Sequence, residues 1–330
     1  MKENNFSNLT NAYHAILSNL HLTGHISEST SDPNSIGSHF GAENRRIKEI
    51  IGYSFTLDNP TNRIISLSSR SIDLPFAIAN CIWTVSGLDS LEFISFYNRR
   101  GLQFSDDKAT LHGAHGKRLF NFDGLNQVLY VIEKLKKDKY SRRAVATIYH
   151  PTDISVISND IPCPIALQFL QRNKKLHAIT FMRSQSAAMV LPYDAFVFTF
   201  LQEMIAVELG LDLGSYHHIS GSFHYYLDEE PFIKRILAEE IPVSETQMPP
   251  MPKDVSPFKM TNKILELERM MRSGIQLNED EVKFHLPFSY WRDLFFILAS
   301  RIMTNTGKDA TFFLSCLPNY YAKHLIGKQK

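Results

Sequence analysis

The segment that most constrains the fold runs through residues 160–210. Two strand-like runs, IALQFLQ and LHAITFMR, flank the polar segment RNKK, and this pattern predicts a β-hairpin. The apolar segment DAFVFTFLQEMIAVELG then predicts a long helix, for which Asp194 is a natural N-cap and Gly210 a natural C-terminal stop. We therefore expect a hairpin that is followed closely by a helix.

Composition narrows the class of protein. The chain has 330 residues, of which 44% are hydrophobic and 21% charged, as expected for a globular protein with a substantial core. The formal net charge of +1 is too small for the protein as a whole to attract nucleic acid or a membrane surface electrostatically. The N-terminal residues lack the pattern of a signal peptide, so a cytoplasmic location and neither a nucleic-acid nor a membrane partner are expected.

The three cysteines, Cys81, Cys163 and Cys316, are too far apart for a disulfide scaffold or a zinc cluster, so no metal is expected. An isolated cysteine is usually buried and inert. Cys163, however, lies between two prolines at the start of a strand-like run, and Arg183-Ser184 and Asp194 follow at the ends of the next elements. A thiol, a cation and a carboxylate in these positions are more typical of a site than of a core.

Two arginine pairs precede strand-like runs. Arg45 and Arg46 come just before IIGYSFTL, where they can either clamp an anion or form a solvated edge. Arg142 and Arg143 lead into AVATIY and alternate faces, so both cannot be core residues. Either one guanidinium is solvated and the other forms an ion pair, or both guanidiniums are directed at an oxyanion.

The rest of the first 245 residues alternates between helical and extended patterns. Residues 74–86 predict a buried helix in which Asn80 is a polar residue among apolar neighbours. Residues 98–122 lack periodicity and contain Asp106, Asp107 and His115, and such long irregular segments are often functional. The remaining predictions are helices at 6–20, 90–98 and 124–137, a loop at 25–43, and strands at 64–69 and 215–227.

The tail changes character near residue 245. A proline-rich connector is followed by helical patterns at 261–273, 288–304 and 308–325. We expect residues 246–330 to form an α-helical extension that packs on a domain formed by residues 1–245.

A series of short motifs resembles the thymidylate synthase family over residues 64–237, in the same linear order. The matching positions are Trp83 to Gly87, His115-Gly116-Lys117 for a family Tyr-Gly-Lys, Ser141-Arg142-Arg143, Pro162-Cys163, Arg183-Ser184, Pro192-Tyr193-Asp194 for a family Pro-aromatic-Asn, and Gly221 to Tyr226. The resemblance implies an α+β fold with a large mixed β-sheet packed by helices, and a sheet-to-sheet homodimer.

The resemblance also implies roles for these residues. Cys163 would add to C6 of a pyrimidine nucleoside monophosphate, so that C5 can attack a one-carbon unit from 5,10-methylenetetrahydrofolate. Such a cysteine needs a lowered pKa, which Arg183 can supply. Phosphate would be bound by Arg183 and Ser184, by Arg142 and Arg143 reaching across from the other subunit, and by Arg45 or Arg46. His224 and Tyr226 would bind the 3′-hydroxyl of the sugar.

The first departure from the family is at the base. The family has Asn where Asp194 stands, and its amide reads the O4 and N3 edge of uracil. An ionised aspartate only accepts hydrogen bonds, so it matches the 4-amino group of cytosine. Asp is the pattern of the cytidylate and deoxycytidylate hydroxymethylase branch. A cytosine nucleotide is therefore favoured over dUMP, with transfer of a hydroxymethyl rather than a methyl group.

A second departure concerns proton transfer. The family glutamate that moves protons is Asn80 here, and an amide does not titrate near neutral pH. His115, Asp106 and Asp107 are candidates for that role. The family's folate-contacting Asp is Ser186, a Gly of the folate floor is Val190, and no C-terminal closing segment is visible.

Three hypotheses remain open. The first is a CMP or dCMP 5-hydroxymethylase, and the second a thymidylate synthase that acts on dUMP. The third is a nucleotide-binding homologue with little turnover, for which Asn80 is the main support.

Overall fold

The computed structural model describes residues 4–29, 45–242 and 247–325. Within these ranges the centre of the fold is a seven-stranded mixed sheet in the order β1-β3-β7-β6-β5-β4, and β2 pairs with β3 beside this path. The strands are β1 (Asn5–Phe6), β2 (His25–Glu28), β3 (Arg46–Leu57), β4 (Val145–Thr147), β5 (Pro164–Arg172), β6 (Lys175–Ser186) and β7 (Asp212–Tyr226).

Helices pack on this sheet and on one another. Those of the first part are α1 (Leu9–Thr23), α2 (Leu74–Val85), α3 (Leu91–Tyr97), α4 (His115–Phe120), α5 (Gln127–Lys137), α6 (Leu191–Glu208) and α7 (Glu230–Leu237). The central helix is α6, which contacts β6, β7 and α2. It is buried on nearly all sides, as its apolar composition requires.

The predicted hairpin is confirmed. Strands β5 and β6 pair antiparallel, from Pro164 opposite Met182 to Arg172 opposite Lys175. The turn residues Asn173 and Lys174 have φ values of +49° and +60°. Positive φ at both central residues is the signature of a type I′ turn, whose twist matches that of the flanking strands.

The expectation that Asp194 caps the following helix is wrong. Helix α6 begins at Leu191, three residues earlier, and the Asp194 N–H already donates to Val190 O at 3.1 Å. Pro192 fits the first turn because the missing N–H has no intrahelical partner there. Asp194 therefore has no capping role, whereas Gly210 ends the helix at φ +66° as predicted.

Three other predictions need correction. The segment 25–43, predicted as a loop, begins with β2, and residues 30–44 lie outside the described residues. Residues 64–69, predicted as a strand, contribute only an isolated bridge from Ser66 to Ser71. The irregular segment 98–122 contains helix α4, so His115 lies at a helix start rather than in a loop.

The C-terminal helices are α8 (Pro257–Arg272), α9 (Glu279–His285), α10 (Ser289–Asn305), α11 (Thr311–Ser315) and α12 (Asn319–Ala322). The periodicity analysis missed α9. Helix α10 packs against α2 and α8, and its Arg301 donates to Asp73, the N-cap of α2, at 2.8 Å. Residues 326–330, where a closing segment was sought, lie outside the described residues, and the division at residue 245 stays a prediction.

The other face of the sheet is partly exposed and apolar. Val145 on β4 is 41% exposed and Ile219 on β7 is 37% exposed, and Ile219 lies beside Phe181 of β6. Within the described ranges, no helix combines the length and the hydropathy needed to cross a membrane.

Candidate active site

The sheet topology brings most of the candidate residues to one end. Because β5 and β6 are antiparallel, the start of β5 lies beside the end of β6. Strand β7 is parallel to β6, so its end, near His224, lies beside Ser186. Helix α6 connects these two parallel strands and begins at the same end, as ligand sites of open sheets commonly require.

Cys163 stands just before β5 and is held by Arg183. The Arg183 N–H donates to Cys163 O at 2.9 Å. Its guanidinium donates to Pro162 O and to Ile161 O, each at 2.9 Å, so it fixes the backbone that leads to the thiol. The Arg183 side chain is otherwise exposed, and Ser184 beside it is half-buried.

The expectation of a lowered pKa at Cys163 is wrong for the free protein. Burial raises the pKa of the Cys163 thiol above its ordinary value, and Arg183 only partly offsets this. The carboxylates of Asp194 and Asp160 raise it further. Desolvation disfavours the thiolate more strongly than one cation favours it, so the thiol form predominates before a ligand binds.

Asp194 is buried close to this thiol, and one of its carboxylate oxygens accepts a hydrogen bond. Gln185 Nε2 donates to Asp194 Oδ2 at 3.0 Å, and the structure records no partner for Oδ1 among the described residues. Burial raises the pKa of Asp194 to about 7, against the opposing effect of the Gln185 hydrogen bond. This carboxyl can thus be either ionised or protonated near neutral pH.

Arg45 and Arg46 have separate environments. Arg45 Nη2 donates to both carboxylate oxygens of Asp228, at 2.8 and 2.7 Å, and its guanidinium lies 3.6 Å from the centroid of the Tyr226 ring. Arg46 is exposed. Arg45 is therefore the one of the pair that the structure joins to another candidate residue.

Arg142 and Arg143 are both exposed. The structure records no ion pair or side-chain hydrogen bond for either guanidinium among the described residues. The alternative in which one is solvated and one is paired is therefore not observed.

His224 and Tyr226 lie on β7 with their ring centroids 5.5 Å apart. Burial lowers the pKa of His224 to about 4, so the ring is neutral at pH 7. Burial raises the pKa of Tyr226, and the nearby Cys163 raises it further, which places the phenol close to the thiol. The two rings thus offer neutral hydrogen-bonding groups beside Cys163.

Asn80 and His115 form a second group of candidates, on α2 and α4, two helices that pack against each other and that we call the second wall. Asn80 is half-buried on α2, four residues after Phe76, so the two side chains share one helix face. The His115 ring stacks on Phe198 of α6, at 5.7 Å between centroids, one turn beyond Asp194. Gly116 packs so closely on Thr84 that an added Cβ would lie 2.5 Å from Thr84 O, which fixes α4 against α2.

Burial keeps the His115 ring in its neutral form. Burial lowers the pKa of His115 to about 4, and Arg118 contributes to the same effect. The imidazole is therefore neutral at pH 7 and has a free lone pair on one nitrogen.

Asp106 and Asp107 are committed to local structure. Asp106 accepts from Ser158 Oγ at 2.5 Å and from Asn159 N at 2.8 Å. Asp107 accepts from Thr110 N and Ala109 N, and these backbone hydrogen bonds hold its pKa well below the usual range. Neither is a free proton carrier, which leaves His115 of the three candidates.

Sequence reasoning missed two residues of the site. Gln185 is buried and carries the donor to Asp194, and no motif distinguishes it from an ordinary strand residue. Asp160, three residues before Cys163, accepts from Gly113 N at 2.8 Å, and burial raises its pKa. Its position two residues before the Pro162-Cys163 motif was the sequence signal that could have identified it.

A cavity of about 410 Å³ opens between α2 and the start of α6. Its wall combines two arginines with aromatic side chains and Met189: Arg70, Arg100, Phe76, Tyr97, Tyr193 and Phe232. Tyr193 directly precedes Asp194, and its OH accepts from Asp73 N at 3.1 Å. The cavity therefore reaches the first turn of α6, the turn that also contains Asp194. The structure shows no cluster of metal-binding side chains among the described residues.

Comparison with known proteins gives a consistent result. A family model described as thymidylate synthase matches residues 22–270. The deoxyuridylate hydroxymethyltransferase of Bacillus phage SP01 is 34% identical over 202 residues, which cover 56% of this chain and 52% of the relative. The corresponding enzyme of Delftia phage PhiW-14 is 30% identical over 199 residues, covering 56% and 55%.

An archaeal relative, the putative thymidylate synthase of Methanocaldococcus jannaschii, is 37% identical over 132 residues, which cover 37% of this chain and 60% of the relative. The chain spans about half the length of the curated relatives it matches. The family model covers most of the chain and includes both walls of the site. The chain therefore belongs to the thymidylate synthase family.

Proposed function

We propose that this protein transfers a one-carbon unit to C5 of a pyrimidine nucleoside monophosphate, with Cys163 as the nucleophile that adds to C6. The observation that carries the proposal is the convergence of Cys163, Arg183 and Asp194 at one end of the sheet, where the thiol is electrostatically coupled to both charged groups. A buried structural cysteine needs neither a cation nor a carboxylate beside it.

The addition solves a problem of reactivity. C5 of a pyrimidine is a poor nucleophile. When the Cys163 sulfur forms a bond to C6, the electron pair of the C5–C6 double bond becomes available at C5. After C5 has bonded to the one-carbon unit, loss of the C5 proton would release this carbon from its tetrahydrofolate carrier as an exocyclic methylene group. Water would then add to that carbon to give the hydroxymethyl group, and expulsion of the thiolate would restore the C5–C6 double bond. Arg183 supports the thiolate because it is the cation that lowers the pKa of Cys163.

Asp194 is the residue that reads the base. In its ionised form both oxygens accept hydrogen bonds, which matches the donating 4-amino group of cytosine. CMP or dCMP is therefore our first candidate, and a hydroxymethyl group is the unit transferred. The names of the two phage relatives support hydroxymethyl transfer within this family.

A uracil nucleotide is the second candidate, for a specific reason. Burial raises the pKa of Asp194 to about 7, so a protonated form is accessible. A protonated carboxyl has one donor and one acceptor, like the family's asparagine, and fits the O4 and N3–H of uracil. Two relatives are named for deoxyuridylate, which also favours this base.

The proton at C5 must leave through another group than Asn80. His115 is the group that we assign, since its imidazole is neutral, stacks on Phe198 of α6, and starts the helix α4 that packs on α2. If His115 did not serve, the protein would bind nucleotide with little turnover, which is the third hypothesis.

Binding of the phosphate would use arginines from two subunits. Arg183 and Ser184 lie beside the thiol, and Arg45 lies over Tyr226. Arg142 and Arg143 are exposed, and their guanidiniums have no recorded partner among the described residues, so they are available to a neighbouring site. The exposed apolar face of the sheet, with Val145 and Ile219, is suited to pairing with a second copy. His224 and Tyr226 would bind the sugar hydroxyl.

The residues around the 410 Å³ cavity fit methylenetetrahydrofolate. Phe76, Tyr97 and Tyr193 offer apolar faces to a flat ring system. Arg70 and Arg100 offer cations to a carboxylate tail, and Arg70 Nε is buried without a hydrogen-bond partner in the described residues. When bound, the cofactor would supply the one-carbon unit.

The test is release of tritium from C5 of labelled CMP, dCMP, UMP and dUMP, with and without methylenetetrahydrofolate. We expect release that requires Cys163 and is fastest with a cytosine nucleotide. Faster release from dUMP would favour the second candidate. Tight binding without release from any base would contradict the proposed activity.

A further inference from the structure

We propose that Gln185 is a positioning residue that controls whether Asp194 selects cytosine or uracil. This inference rests on the proposed function. It adds Gln185, which no sequence motif indicates and which would act on the choice of base indirectly, through the Asp194 oxygen to which it donates.

The hydrogen bonds of the Gln185 side chain indicate that its main partner is Asp194. Its side chain is 1% exposed at the end of β6, and Nε2 donates to Asp194 Oδ2 at 3.0 Å. Among the described residues, its only other side-chain hydrogen bond is a long one, 3.4 Å from Nε2 to Ser186 O. The hydrogen bond to Asp194 is therefore the main polar contact of this amide.

Gln202 provides an internal comparison. It is also a fully buried glutamine, on α6, and its Nε2 donates to backbone oxygens of Leu176, Gly214 and Ser215 at 2.9, 3.1 and 3.2 Å. It therefore joins α6 to the sheet. Gln185 contacts a titratable side chain instead.

The donor has a defined effect on the carboxyl. A hydrogen bond to Oδ2 favours the charged form, and it lowers the pKa of Asp194 against the effect of burial. It also occupies Oδ2, so Oδ1 is the oxygen left for the base. The ionised form that Gln185 favours presents an acceptor to a cytosine amino group, whereas the protonated form fits uracil.

Titratable or charged side chains on elements near α6 include Tyr13 (α1), Cys81 (α2), His115 (α4), Cys163 (before β5), Arg183 (β6), Tyr216 and His218 (β7), and Glu268 (α8). Cys163 and Tyr216 interact electrostatically with Asp194, and burial raises the pKa of each. Burial lowers the pKa of His115 to about 4 and that of His218 to about 3, so both are neutral.

The experiment measures the affinities of the full chain for CMP, dCMP, UMP and dUMP by calorimetry across about pH 5.5 to 8.5, a range that brackets a group titrating near 7. The variants are Gln185→Leu, Gln185→Glu, Asp194→Asn and, as the matched control, Gln202→Leu. Binding does not require turnover, so the result is independent of whether the protein is catalytically active.

In the unchanged protein, we expect the ratio of cytosine to uracil affinity to rise as the pH rises through about 7. Loss of the donor in Gln185→Leu removes a hydrogen bond to the charged form, so the midpoint should move upward by about one pH unit. Gln185→Glu should also move it upward, because a second carboxylate disfavours ionisation of Asp194. Asp194→Asn should remove the pH dependence, and Gln202→Leu should leave the midpoint in place.

An unchanged midpoint in a folded Gln185→Leu or Gln185→Glu protein would overturn the inference and leave the proposed function intact. A midpoint that moves equally in Gln202→Leu would also overturn it, since the effect would then be general destabilisation. Failure of all four nucleotides to bind would overturn the nucleotide site itself and this inference with it.

Discussion

The wall formed by β5, β6 and the start of α6 differs from the wall formed by α2 and α4 in how its polar groups are held. On the first wall, Arg183 binds two backbone oxygens and Asp194 accepts from Gln185, so both groups are fixed before any ligand arrives. On the second wall, the structure records no hydrogen bond for the side chains of Asn80 and His115 among the described residues.

This difference separates two tasks. In the proposed function, the first wall supplies a thiol, a cation and a carboxyl that reads the base, and such preorganised groups favour binding and nucleophilic addition. The second wall would handle protons, with Asn80 at the position where the resemblance implies an acid. On this proposal, binding is retained while proton transfer is reassigned to His115.

The largest expected effect is on the first wall. Cys163→Ala should lower C5 tritium release by at least about 10⁴-fold, the order seen when a catalytic nucleophile is removed. Nucleotide affinity should change little, because the arginines remain. Cys316→Ala, which changes a half-buried thiol in the C-terminal helices, is the control. Equal activity of the two variants would remove Cys163 from the chemistry.

The second wall should give a smaller effect. His115→Phe keeps an aromatic ring against Phe198 but removes the proton acceptor, so release should fall by about 10²- to 10³-fold, as for loss of a general base. The matched control is His285→Phe, whose ring lies beside Phe284 on α9, at 5.2 Å between centroids. A rate within a factor of two or so of the unchanged protein would mean that another group carries the proton.

Arg142 and Arg143, which lie outside both walls, provide a test of whether a second subunit contributes to the site. Arg142→Ala with Arg143→Ala should raise the nucleotide KM by about 10- to 100-fold, since charge-assisted hydrogen bonds are lost. A mixture of this double variant with Cys163→Ala should recover about a quarter of the unchanged rate, because about half of the dimers are mixed and each has one intact site. No recovery after subunit exchange would contradict shared sites.

The smallest effect is expected when Asn80 is replaced by the glutamate that the family resemblance implies at this position. Because His115 already accepts the proton in this account, Asn80→Glu should raise tritium release by less than about 10-fold, whereas a missing general acid or base is worth about 10²- to 10⁴-fold. Asn80→Gln is the matched control, since it extends the side chain without adding a titratable group. A gain of about 10²-fold or more would show that proton transfer is the step that this protein lacks.

Local patterns predicted the parts of the fold that depend on local chemistry. The β5–β6 hairpin follows from two strand-like runs around a polar segment, and helix α2 from the apolar run at residues 74–86. Strand β2 was not predicted because its four residues are all exposed at the sheet edge and show no alternation. The position of Asp194 was misjudged because an aspartate before an apolar run has the pattern of an N-cap, whereas the helix begins three residues earlier at Leu191.

The electrostatics of the site could not be predicted in the same way. Burial is a tertiary quantity, and it reverses the expected pKa shift of Cys163 and brings the pKa of Asp194 to about 7. Gln185 has no motif, and its contact with Asp194 joins the end of β6 to the first turn of α6. The motifs identified which residues meet, and the packing determines how they ionise.

Trapping of the covalent adduct tests the central claim most directly. A 5-fluoro cytosine or uracil nucleotide has no C5 proton to lose, so addition of Cys163 to C6 followed by one-carbon transfer should stop at a bound intermediate. With methylenetetrahydrofolate, mass spectrometry should then show a nucleotide attached to the peptide that contains Cys163, and no adduct in Cys163→Ala. Bound 5-fluoro nucleotide without any covalent attachment to Cys163 would contradict the account.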